Sequence, residues 1–190
     1  MRLRSALAAV LLLAPAVASA HTGVDHAEGF AHGFAHPFSG LDHLLAMFAV
    51  GLFAFRLGGR ALWAVPAAFM GMMALGGVAG FEGAALPYVE TAIALSVVAL
   101  GLVVATGVAL PTAVATAFVG IFAIFHGHAH GGELPAGTAA AAYTTGFLAA
   151  TGLLHAAGIA AAALLSGRLA VVRLGGAAVA LAGVALLAGV

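Results

Sequence analysis

The 190-residue chain has no cysteine and no lysine, and only 6% of its residues are charged. Without cysteine there can be no disulfide, no zinc–thiolate centre and no iron–sulfur cluster. Six arginines balance six acidic residues to a formal net charge of zero, so no basic surface marks the chain for nucleic acid. What remains is 64% hydrophobic, with a mean hydropathy of +1.20. A soluble domain of this length could not keep so much apolar surface from water. The expected class is therefore an all-α integral membrane protein, its partner a lipid bilayer.

Nine histidines stand out against that background. With thiolates absent, a metal site would use imidazole, carboxylate, thioether or backbone oxygen. That donor set suits nickel, cobalt, copper, zinc or iron.

Residues 1–20 have the form of a cleaved secretory signal: Arg2 and Arg4, an apolar run from Ala6 to Leu13, then Ala18, Ser19 and Ala20. Cleavage after Ala20 would make His21 the new amino terminus, its amine beside its own imidazole, and so a candidate ligand. The mature chain, 21–190, would be one transmembrane domain with an exterior segment at 21–36 carrying Asp25, His26, Glu28 and His32. That segment reads either as a solvated tail or as a weak metal-collecting arm.

Six apolar segments follow, near Leu41–Phe55, Ala61–Gly80, Val89–Gly107, Pro111–Phe125, Thr138–Leu165 and Leu174–Val190, against a need of about 20 residues per span. The first is short, so its helix is expected to begin near Pro37, a residue tolerated in an opening turn. Arg56 and Arg60 fall in the first connection, Arg168 and Arg173 in the fifth. The positive-inside rule makes both cytoplasmic. The second loop, with Glu82 and Glu90, and the histidine-rich fourth loop are then exterior. The signal independently places the mature amino terminus outside, so both termini are expected on the exterior side of the membrane.

An ionisable side chain inside a membrane costs roughly 2.5–3.5 kcal/mol on insertion scales, so by default it marks function. One group of such residues is His36, Asp42, His43 and Met47, at the mouth of the first span. On a helix His43 and Met47 share a face. His36 and His43 would lie about 10 Å apart along a regular helix. They could share one ion only if the stretch from Pro37 to Gly40 is irregular. The second group is His126, His128, His130 and Glu133. If the fourth helix continues, His126, His130 and Glu133 fall on one face at i, i+4 and i+7. If the segment is extended, His126, His128 and His130 share a side instead. Gly127, Gly131 and Gly132 argue against a long helix, and either geometry offers three ligands.

These residues carry a resemblance. His36-x5-Asp42-His43 followed by Met47 and Gly51, with Phe125-His126-Gly127-x-Ala129-His130-Gly131-x-Glu133, resembles the HupE/UreJ family of bacterial membrane proteins. The resemblance implies a link to hydrogenase and urease accessory systems and uptake of nickel, with cobalt as the alternative ion, without a prosthetic group. It implicates His36, Asp42, His43, His126, His130 and Glu133 as metal-binding residues, and it treats His128 as a variable position.

Elsewhere, His155 in the fifth span is a candidate second ligand along the path. Met70, Met72 and Met73 read as packing. No ATP-binding motif is present, so a nickel permease would run on membrane potential, an ion gradient or cytoplasmic capture. The competing readings are a membrane metalloenzyme or haem protein, and a non-transporting metal-binding accessory protein for hydrogenase or urease maturation. A homo-oligomer is among the arrangements the sequence allows.

The topology generates a first prediction. Intact mass should show a mature chain beginning at His21. Reporter fusions after Arg60 and after Arg168 should read cytoplasmic, and an exterior signal at Arg60 would overturn the orientation.

Overall fold

A backbone immersed in lipid has no water to satisfy its amides, so an apolar segment must close its hydrogen bonds internally as a helix. The computed structural model describes residues 26–134 and 139–189, and every regular element among them is helical. Helix α1 is His26–Ala35, followed by a 3₁₀ turn at His36–Phe38; α2 is Leu41–Leu57, α3 Ala61–Phe81, α4 Val89–Thr106, α5 Thr112–Gly132, α6 Ala140–Leu164 and α7 Leu169–Ala188. The signal-like residues 1–20 and His21 lie outside the described residues.

Five helices, α3 to α7, are long and apolar enough to span a membrane; the count reaches six only if α1 and its turn join α2 as one span bent by 81°. Their outward faces carry Leu75, Leu102, Ile121, Leu153 and Leu181, each at least 50% exposed, as suits contact with lipid. Trp63, 62% exposed in the first turn of α3, is the amphipathic ring expected where hydrocarbon meets headgroups.

Four sequence expectations need correction. The first span does not begin near Pro37. Pro37 is buried in the 3₁₀ turn and the helix restarts at Leu41, with Gly40 extended at its N-cap. Residues 26–35 are no solvated tail but a helix packed on α6. The fourth span does not stop at Phe125; α5 runs on to Gly132. Arg56 and Arg173 belong to helices rather than connections, α2 and α7 respectively.

The glycines explain why α5 continues. A Cβ on Gly127 would collide with the Met73 carbonyl, and one on Gly131 with the Gly77 carbonyl; from the other side, Gly76 is pressed against the Ile124 carbonyl. These residues are therefore not helix breakers here. They let α3 and α5 touch backbone to backbone, where lipid gives no hydrophobic drive between helices. The same contact joins α1 to α6 through Gly33 and Gly146, α2 to α6 through Gly51 and Gly158, and α4 to α7 through Gly101 and Gly176.

At one end of the bundle lie His36, His43, His126 and His130. At the other end, Arg56 Nη2 donates to the Gly107 carbonyl at 2.7 Å and Arg173 Nη2 to the Thr106 carbonyl at 3.2 Å. Both cations thus hold the last carbonyls of α4, where the helix dipole is negative.

Glycine packing can be tested within α3. Gly76→Ala should destabilise by about 1–3 kcal/mol through forced separation of backbones. Gly71→Ala, whose Cβ would meet nothing within 4 Å, should be neutral or stabilising by up to about 1 kcal/mol. Thermal unfolding in detergent reads both; equal effects would refute the assignment.

Candidate metal centre

The break at Pro37–Gly40 turns the chain so that His36 folds back over the end of α5. Its ring centroid lies 4.6 Å from that of His130. Glu133, the C-cap of α5, brings a carboxylate oxygen to 3.7 Å from His36 Nε2. The ligand atoms of His36, His130 and Glu133 all lie within 4.8 Å of one another. His36 and Glu133, with His32 and Tyr143, line a cavity of about 350 Å³. His130 is only 5% exposed and sits in the last turn of α5, whose carbonyls favour a cation.

Behind this trio lie two more imidazoles. His43 packs against His130 with centroids 4.3 Å apart and against His126 at 4.7 Å. They do not join His36, His130 and Glu133 in one tight set; they form a second tier, with His126 one turn before His130 on α5 and His43 in the first turn of α2.

Each second-tier ring is held by a partner that fixes its tautomer. Asp42 Oδ1 lies 2.8 Å from His43 Nδ1 and also accepts the His43 backbone N–H at 2.7 Å. A carboxylate only accepts, so His43 carries its proton on Nδ1 and keeps a lone pair on Nε2. Ser96 donates its hydroxyl to the Ile93 carbonyl at 2.6 Å and lies 2.8 Å from His126 Nε2. With its hydrogen committed, Ser96 must accept from His126, which leaves the lone pair on Nδ1. The two nitrogens so freed, His43 Nε2 and His126 Nδ1, are buried without a hydrogen-bond partner, as are both nitrogens of His130. An unpaired buried polar group costs about 1–3 kcal/mol. Here such groups gather, and a polarising partner behind each ring is the usual support of a metal-ligating histidine.

The remaining candidates are placed as follows. His128 is half-buried on the far side of α5 and donates Nε2–H to the Ala84 carbonyl at 2.6 Å. Met47 is fully buried one turn below His43, its sulfur accepting the Thr151 hydroxyl at 3.4 Å. His155 lies deeper still in α6, 2% exposed. Glu82 and Glu90 are exposed. Met73 is a core residue, Met72 packs against that core and Met70 lies beside Gly152.

Ser96 and the rings of Phe147 and Phe69 are neighbours that the sequence reading did not single out. Phe147 packs on His130 at 4.0 Å and Phe69 on His126 at 5.7 Å. Ser96 had a signal, being the only polar side chain between Ala92 and Ala105. The two phenylalanines had none among 12.

No solved structure matches this chain. A curated relative from Rhizobium leguminosarum bv. viciae, Protein HupE, is 56% identical over 190 residues, covering 99% of this chain and 98% of that protein. A family profile described as HupE / UreJ protein matches residues 8–186. Since that match runs through both histidine-bearing stretches, the chain belongs to the HupE / UreJ family.

Proposed function

We propose that this membrane protein takes up a divalent transition metal, nickel(II) foremost and cobalt(II) as the alternative, with its histidine end facing outside and its arginine end the cytoplasm. One arrangement supports this above all: buried imidazole nitrogens without protein partners, presented from α2 and α5 and held by Asp42 and Ser96. The outer trio of His36, His130 and Glu133 would replace part of the ion's hydration shell at the cavity mouth. The second tier, His43 and His126, would then draw it inward.

Imidazole with carboxylate is a donor set for nickel and cobalt rather than for calcium or magnesium, which prefer oxygen alone. An inside-negative potential favours entry of a divalent ion by about 4.6 kcal/mol per 100 mV, at about 2.3 per charge. The signal at residues 1–20 and the arginine distribution support insertion in the inner membrane with both termini exterior. By family resemblance, the ion would serve maturation of hydrogenase or urease.

Labelled nickel uptake into proteoliposomes tests the reading and separates a transporter from a non-transporting accessory protein. His43→Ala and His130→Ala should each remove most uptake, and the double variant should be scarcely worse, because the second loss acts on a path already broken. Singles that each lose part, with a double that loses the product, would mean independent sites. Glu133→Gln should also impair uptake, whereas His128→Ala should be mild. Asp42→Asn and Ser96→Ala keep both histidines but remove the groups that fix their tautomers; each should weaken nickel affinity by about 10–100-fold.

Acid gives a separate check. Imidazole must be deprotonated to ligate, so protons and metal compete for the same nitrogens. Burial lowers the His36 imidazole from its ordinary value, so nickel binding should weaken with acid at a lower pH than it does for an exposed imidazole, which titrates at about 6.5. Binding that weakens at the same pH as binding to free imidazole would count against ligation by the buried rings.

A further inference from the structure

His155 is the one histidine of the described bundle interior that the two-tier site leaves unused. It is 2% exposed, and neither Nδ1 nor Nε2 has a hydrogen-bond partner. A neutral imidazole always presents one donor and one acceptor. Burying both unpaired costs about 1–3 kcal/mol for each, a cost that leucine or phenylalanine in the same space would not incur. Packing alone therefore does not account for a histidine here.

Its position is specific. Along one face of α6, Phe147 touches His130, Thr151 reaches Met47 one turn deeper, and His155 follows one turn deeper again. From Phe147 to His155 is a rise of about 12 Å. Helix α2 runs alongside with the same spacing, His43, Met47 and Gly51. The missing side chain of Gly51 admits the His155 carbonyl, which fixes the residue's backbone in place. Between the upper histidines and His155 stands one fully buried ring. Phe69 lies 5.7 Å from His126 and 5.3 Å from His155, centroid to centroid.

We propose that His155 is an inner coordination station that receives the divalent ion from His43 and His126, with the Phe69 ring as the partition between the stations. The inference rests on the uptake reading above. A single tight outer site would retain its ion, whereas conduction needs several sites, each weak enough to leave. An inner imidazole offers the ion a donor of the same chemistry as the one it is leaving. The Met47 thioether lies beside the route, its sulfur accepting the Thr151 hydroxyl.

The test separates the inner station from the outer site. In His155→Gln protein, calorimetric titration with nickel(II) should give an outer-site affinity close to that of wild type. Uptake into proteoliposomes should fall by about tenfold or more, as expected when one of several serial sites is lost. Unchanged uptake in the variant would overturn the inner station while leaving the uptake reading intact. Equal loss of binding and uptake would also overturn it, by making His155 a support of the outer site. Wild-type protein that binds nickel but never imports it would instead overturn the uptake reading, and the inner station with it.

A second variant keeps the proposal falsifiable if His155→Gln folds poorly. Because the chain has no cysteine, His155→Cys introduces a unique thiol. A small water-soluble thiol reagent should modify it in intact proteoliposomes, and nickel(II) alone should slow that modification several-fold. A thiol that stays inaccessible, or that reacts at the same rate with and without nickel, would show that no ion path reaches this position.

Discussion

Backbone-to-backbone contact at glycine is the constraint on which the rest of this structure depends. In lipid, helices gain nothing by hiding apolar side chains from each other, so association must come from close van der Waals approach. Glycine supplies that approach at each of the main interfaces and sorts the chain into three tightly joined groups: α1 and α2 on α6, α3 on α5, and α4 on α7. The side chains of the candidate site come from all three. His36, Asp42, His43, Met47 and His155 belong to the first group, Phe69, His126, His130 and Glu133 to the second, and Ser96 to the third. The site is thus a junction between rigid groups rather than a property of any one helix.

At that junction the polar groups fall into two kinds. Asp42 and Ser96 each spend themselves on one histidine, and through it decide which ring nitrogen keeps a lone pair. His130 has no such partner and lies between His36 and His43. A ring with an unassigned tautomer between two assigned neighbours can offer a lone pair to either tier. That freedom suits an ion in transit better than one held permanently.

Much of this was legible in the sequence. The apolar segments carried the helices, and the i, i+4, i+7 spacing placed His126, His130 and Glu133 on one side of α5 once its continuation was allowed. Pro37 to Gly40 could be recognised as the stretch whose irregularity would decide whether His36 approaches the rest. Other features were not legible. Gly127 and Gly131 look like helix breakers until a facing backbone is present, because the same missing Cβ that weakens an isolated helix permits the closest packing. Helix α1 is short, with glycine and histidine among its ten residues, and its helicity comes from docking on α6 rather than from propensity. Phe69 and Phe147 could not be told from other core aromatics, since their role depends on which rings they separate.

The arginine grip on α4 has a mechanical consequence. Arg56 comes from the first group and Arg173 from the third, yet both fasten the same helix end. The far ends of α2 and α4 are thereby pinned together, opposite the histidine cluster. A 17-residue helix such as α2 is a lever of about 25 Å at 1.5 Å per residue. Pinned at its arginine end, it would carry its histidine end through about 2 Å for every 5° of tilt, roughly ten times the tolerance of a metal–nitrogen bond. On the uptake reading, small rocking at the clamp would be amplified into making or breaking coordination, and whichever tilt the ion prefers, the ion would also stabilise.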